Sequence, residues 1–157
     1  MRTEIRIQIR QKTKDLSRSL FDAAIKEDWE KVDKALLSDL GAVNHDFLAG
    51  LLIPKSEDQD PNIRDVVAST LSCLSITVDP MRNAATTAMI KMATTDEFVF
   101  PSGRAVTYLL KNAKDKKREK EIEEAVKRFK QRARERNWTE ELLENIPEIT
   151  PLLSDLT

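Results

Sequence analysis

The run Asp60-Pro61-Asn62-Ile63-Arg64-Asp65-Val66-Val67-Ala68-Ser69-Thr70-Leu71 decides the fold class. An Asp side chain accepts from the free N–H groups of a first helical turn. Pro at the next position lacks the one donor that would be orphaned there. Apolar residues follow at helical spacing (Ile63, Val66, Val67, Leu71 and Leu74), which predicts a helix over 61–76. Asp79-Pro80 repeats the start and predicts a helix over 80–94 with Met81, Ala84, Ala85, Ala88, Met89 and Met92 inward. Pro101-Ser102, after Phe98, Val99 and Phe100, predicts a third that buries Val106, Leu109 and Leu110.

Upstream, the stripe Ile5, Ile9, Leu16, Leu20 and Ala24 predicts a helix over 3–27. Ile5, Ile7 and Ile9 also alternate as in a strand, but no second strand is available to pair with it. Asp28 caps a predicted helix over 29–40, with Trp29, Val32, Leu36 and Leu40 inward and Gly41 as its stop. Asn44 caps the next, whose buried face is Phe47, Leu48, Leu51 and Leu52 and which Pro54 ends. Residues 55–60 read as a polar loop. Residues 111–136 read as one helix of about 39 Å. Its narrow stripe of Ile122, Val126, Phe129 and Ala133 carries too little apolar surface for a central core helix. Thr139 caps a predicted helix over 140–145, stopped by Pro147, and the acidic tail with Leu152, Leu153 and Leu156 either docks or stays loose.

Composition agrees. Three glycines in 157 residues are too few for the tight turns of a sandwich or barrel. Aromatics make up 5%, so the core rests on Leu, Ile, Val, Ala and Met. The single cysteine, Cys73, lies in an apolar stretch and reads as a small core residue. A lone cysteine suits a reducing, cytoplasmic setting. No apolar run is long enough to span a membrane and no secretion signal is present.

The run at 60–71 resembles the inner helix of a HEAT-type repeat: an Asp-Pro start, an apolar residue followed by Arg, then Ala and Leu at helical spacing. Met81-Arg82-Asn83-Ala84-Ala85 has the same form, and Gly103-Arg104-Ala105-Val106 echoes it. The resemblance covers about residues 44–112. It implies an all-α fold of stacked antiparallel helix pairs, a HEAT-like α-solenoid fragment, followed by a long charged C-terminal helix. The organisation expected is a helical-repeat body over 1–112, with 113–157 packed on it or extending from it. The resemblance also implies that Arg64, Arg82 and Arg104 support neighbouring turns, and that the protein is a scaffold for other macromolecules rather than an enzyme.

Chemistry-bearing motifs are absent from the sequence. The only histidine, His45, is followed by Asp46 and reads as part of a helix start. One His and one Cys cannot make a zinc set. Glu57, Asp58 and Asp60 lack the calcium-loop spacing, and Gly41, Gly50 and Gly103 are too scattered for a phosphate loop. No cofactor and no metal are expected.

Charge supplies the remaining lead, because a net charge of −1 hides strong segregation. Residues 1–18 carry +4, 19–110 carry −6, 111–136 carry +6 and 137–157 carry −5. The candidate binding surface is Lys116, Lys117, Arg118, Lys127, Arg128, Arg132 and Arg136. Arg128, Arg132 and Arg136 share one side of a helix, spaced to meet phosphates. The expected function is a non-catalytic scaffold or adaptor with a protein partner. The alternative is nucleic-acid binding through 111–136, and the third expectation is a homodimer seamed by Ile122, Val126, Phe129 and Ala133.

Overall fold

Short apolar stripes separated by capping residues leave the chain little choice but helices. The computed structural model describes residues 2–112 and 116–153. Among them lie nine α-helices and no strand: α1 (Arg2–Ile25), α2 (Trp29–Ser38), α3 (His45–Leu52), α4 (Pro61–Cys73), α5 (Asp79–Thr95), α6 (Val99–Lys111), α7 (Glu119–Glu135), α8 (Thr139–Asn145) and α9 (Thr150–Leu153). The all-α expectation holds. Two compact units divide within α5, residues 1–85 and 86–157. The boundary expected after residue 112 adjoins residues 113–115, which lie outside the described residues, as do Leu156 and the rest of 154–157.

In the first unit α1 packs on α2, α3 and α4. Leu16, Leu20, Ala24, Val32, Leu48, Leu52, Val66, Val67 and Leu71 are its core. Three expected caps form: Asp28 accepts from Lys31 N (3.2 Å), Asn44 from Phe47 N (2.9 Å) and Asp60 from Asn62 N (2.9 Å). Arg64 donates to Asp58 O (2.8 Å) and Gln59 O (3.1 Å), tying the turn before α4 to the helix.

Several local expectations are corrected. Gly41 is no left-handed stop, since it lies in a 3-10 turn over Leu40–Ala42. The left-handed residue in this unit is Glu27 (φ 58°), where Asp28 N returns to Ala23 O (2.8 Å) and ends α1. Pro54 does not release the chain into a loop, because Ile53–Glu57 is a 3-10 turn packed on α4. Helix α4 stops at Cys73 rather than 76, and Cys73 is exposed rather than in the core. Ile5 is exposed too: the stripe is helical, but the body beneath it begins only at Thr13.

In the second unit α6 packs on α7, α8 and a 3-10 turn over Pro147–Ile149. Helix α6 starts at Val99, earlier than expected, because the Asp96 carboxylate accepts from Phe98 N (3.0 Å) and fixes the entry. Leu110, expected inward, is exposed, while Tyr108 is buried with its hydroxyl 3.5 Å from Thr86 Oγ1. The charged helix is shorter than 111–136: Lys111 ends α6 and α7 begins at Glu119. Its buried stripe is Ile122, Ala125, Phe129 and Ala133, with Ala125 in the place expected of Val126. Fully burying Phe129 is worth about 1.5–3 kcal/mol. Helix α7 is therefore a core helix of its unit, contrary to the expectation from its composition. The stripe expected to seam a homodimer is covered within the chain. The tail docks as far as Leu153, with Ile146, Ile149 and Leu153 fully buried. Thr139 does not cap α8; it is the first helical residue, and Leu142 N bonds Trp138 O (3.0 Å).

Gly103 permits the approach of α6 to α8. A Cβ there would lie 2.7 Å from both Ile146 Cδ1 and Leu142 Cδ2, on side chains that are themselves fully buried. Gly103→Ala is expected to destabilise the protein by about 1–3 kcal/mol through overpacking. Urea unfolding followed by circular dichroism checks this, and unchanged stability would mean that the contact relaxes freely.

Candidate functional site

Helix α7 and the turns at its two ends carry the residues singled out by charge, and the local sequence explains how they are displayed. Buried Ile122, Ala125, Phe129 and Ala133 turn one side inward. The opposite side presents Glu124, Lys127, Arg128, Gln131, Arg132 and Glu135, which line an open groove of about 620 Å³. Of the expected basic surface, Lys127, Arg128 and Arg132 lie on α7, Lys116, Lys117 and Arg118 precede it and Arg136 follows it, and their roles are unequal.

Arg132 is a structural peg. Its Nη2 donates to Asp96 O (2.6 Å), and Nη1 to Ala93 O (3.2 Å) and Ser102 Oγ (3.4 Å). Those carbonyls belong to the end of α5, where a cation also meets the negative pole of the helix. Ser102, taken with Pro101 as a helix start, donates its hydroxyl to Ala93 O (2.9 Å) from a fully buried position inside α6. Burial lowers the Arg132 pKa, and nearby Arg136 lowers it further, against the raising effects of Glu97 and Asp96. A guanidinium remains charged at neutral pH all the same.

Arg136 pairs with Glu97 (2.8 Å), and that hydrogen bond holds the Glu97 carboxyl below its usual range. Both Arg132 and Arg136 lie over the Trp138 ring, at 5.3 and 5.5 Å from its centroid. The left-handed Asn137 (φ 57°) makes this possible, since the turn from α7 into α8 folds Trp138 back under the arginines. Arg118 grips Glu121 through Nε (2.8 Å) and Nη2 (3.3 Å), lowering the Glu121 pKa, and donates to Thr87 Oγ1 (2.8 Å). Lys116 and Lys117 are exposed in the turn before α7, and Lys127 and Arg128 are exposed on it. Of the row Arg128, Arg132 and Arg136, only Arg128 has no ion-pair or hydrogen-bond partner among the described residues.

A second polar cluster sits at the start of α3, and its partners lie about 30 residues away, beyond any local pattern. Asp46 accepts from Thr77 N (2.9 Å), Thr77 Oγ1 (2.7 Å) and Val78 N (3.0 Å). His45 Nδ1 accepts from Ser75 N (2.9 Å), while Nε2 donates to Leu40 O (2.8 Å). Both ring nitrogens are committed to backbone, so neither is free to serve as a base or ligand. Together the pair clamps the extended segment between α4 and α5. The clamp also explains why Asp79 does not cap α5: the helix opens with Arg82 N on Val78 O (2.9 Å), and the Asp79 carboxylate pairs with Arg82. Bonds from Val78 N and the Thr77 hydroxyl lower the Asp46 pKa below its usual 3.8.

Among the described residues no three His, Cys, Asp or Glu side chains gather where a metal ion could be held. No helix is long and apolar enough to cross a membrane. No family model, no curated protein and no solved structure matches the chain.

Arg132→Ala is expected to destabilise the protein by about 1.5–3 kcal/mol, the worth of hydrogen bonds from a charged donor. Arg128→Ala is expected to change stability by less than about 0.5 kcal/mol. Denaturant midpoints of the two variants check the contrast, and equal midpoints would deny Arg132 its structural role. For Asp46 the depressed folded pKa means a contribution present above the unfolded value of 3.8 and lost as pH falls through the folded value. The melting temperature of the native chain should therefore fall more steeply on acidification below that value than that of Asp46→Asn. Parallel acid profiles would contradict the clamp.

Proposed function

We propose that this chain is a non-catalytic helical scaffold that binds a protein partner, and that the projecting end of α1 makes the contact. One observation carries the reading. Residues 2–12 of α1 bury no side chain, yet they hold Ile5 at 52% and Ile7 at 61% exposure. Ile5 and half-buried Ile9 share one face of this ordered helix, and an apolar face left without cover marks an interaction site. The HEAT-like resemblance over 44–112 supports the same reading, since stacked helix pairs serve as platforms for other macromolecules. The single free thiol and the lack of a membrane-crossing helix suit a cytoplasmic setting.

The alternative, phosphate binding by the basic helix, draws on exposed Lys116, Lys127 and Arg128. It stands second because Arg118, Arg132 and Arg136 already have partners, and because Glu124 and Glu135 line the same groove.

A photo-crosslinking side chain in place of Ile9, on the same face as Ile5, activated in the source cell, separates the two. The expected product is a covalent adduct with protein that Ile5→Glu abolishes. No adduct, or an adduct with nucleic acid alone, would overturn the proposal.

A further inference from the structure

The projecting end of α1 has a chemical character that narrows its occupant. Arg2, Arg6 and Arg10 recur at i, i+4 and i+8, beside Ile5 and Ile9 at the same step. Arg10 rests over the Phe47 ring, 5.5 Å from its centroid. Arg2 and Arg6 have no ion-pair partner among the described residues. The surface is therefore an apolar strip edged by free positive charge. Its complement is a helix face with apolar residues edged by carboxylates.

The same chain carries such a face. On α8, Glu140 and Glu144 stand one helical step apart, with Leu143 about 60° to one side of Glu140 and Glu141 on the other, and exposed Glu148 follows in the next turn. All four carboxylates are exposed, and none has an ion-pair partner among the described residues. Leu143 and Leu152 are half-buried. The i, i+4 step of about 6 Å is common to the arginine row and the glutamate row.

Resting on the protein-binding reading above, we propose that the projecting end of α1 docks on the acidic α8–α9 face of a second copy of this chain. Other occupants fit less well. A second α1 would set arginine rows against each other, with Glu4 the only acid within residues 2–12 to answer them. Nucleic acid would satisfy the arginines but leave Ile5 and Ile9 wet. An anionic bilayer needs one apolar side, whereas Ile7 lies about 160° around the helix from Ile5 and Ile9. A single contact of three helical turns is small for a stable interface, so the association expected is weak and concentration-dependent.

Charge-swapped chains test the proposal. Sedimentation velocity across a concentration series should show wild-type self-association that weakens between about 0.05 and 0.5 M salt. Arg2→Glu/Arg6→Glu and Glu140→Lys/Glu144→Lys should each weaken it about 10-fold or more. An equimolar mixture of the two variants should restore it, because each reversed row then meets its opposite. All four positions are exposed, so melting temperatures should stay near wild type and confirm folded chains. A wild-type monomer at every concentration, association untouched by either reversal, or a mixture that stays dissociated would each overturn the proposal. The crosslink at position 9 keeps the two readings distinguishable. An adduct with a different protein sinks the second copy and leaves the protein-binding function standing, whereas no adduct sinks both.

Discussion

Helix α5 is held at both ends by charges delivered from distant parts of the chain, and the two junctions organise what surrounds them. At its start the Asp46 carboxylate takes the Thr77 and Val78 N–H groups. At its end the Arg132 guanidinium takes the Ala93 and Asp96 carbonyls. Each charge has the sign that suits its pole of the helix. Helix ends leave backbone groups unpaired, and burying those groups unpaired is costly. Because α5 runs from one compact unit into the other, each unit solves this problem separately, with its own side chain. The extended segment before α5 and the tight entry to α6 after it are consequences of the two solutions.

The distance over which these bonds act decides what could be read from sequence. Asp28, Asn44 and Asp60 were legible as caps because each partner lies within three residues. Asp79 looks equally good by the same rule. It fails because a remote group had already settled the geometry: Asp46 set the start of α5. Nothing local distinguishes the caps that form from those that do not. Periodicity has a similar limit. It placed Ile5, Ile9, Leu16 and Leu20 on one stripe correctly, but where the body beneath the stripe ends is a property of α2, α3 and α4. Cys73 and Leu110 erred for the same reason, being apolar positions near helix ends where the cover runs out.

Charge was legible as a count and misleading as a site. Residues 111–136 carry twelve Lys and Arg, and the row Arg128, Arg132, Arg136 has the spacing of a phosphate reader. A guanidinium with five donors serves equally well to close a helix end or to lie over an indole ring. Both uses occur here, on Arg132 and Arg136 together. An arginine already bonded to two carbonyls cannot turn to a phosphate without leaving them unpaired. A row of bases therefore measures binding capacity only after its internal partners are subtracted. After that subtraction, the free positive charge of the described chain is as evident on α1 as on α7.

The projecting end of α1 follows from how helices form. Nucleation is the costly step, and each residue added to an existing helix gains a hydrogen bond for one residue fixed. Residues 13–25 are docked, so residues 2–12 extend a helix already nucleated, with Glu4 favourably placed in the first turn. An isolated peptide of that length would be marginal at best as a helix. Attached to a docked half, it presents Ile5, Ile9 and the arginine row in a fixed register without needing a partner to order them. Ordering a flexible segment at the moment of binding costs affinity, and a surface ordered beforehand avoids that cost. The anchored half of α1 thus does for recognition what the clamps on α5 do for folding: it fixes backbone geometry in one place so that side chains elsewhere can be used.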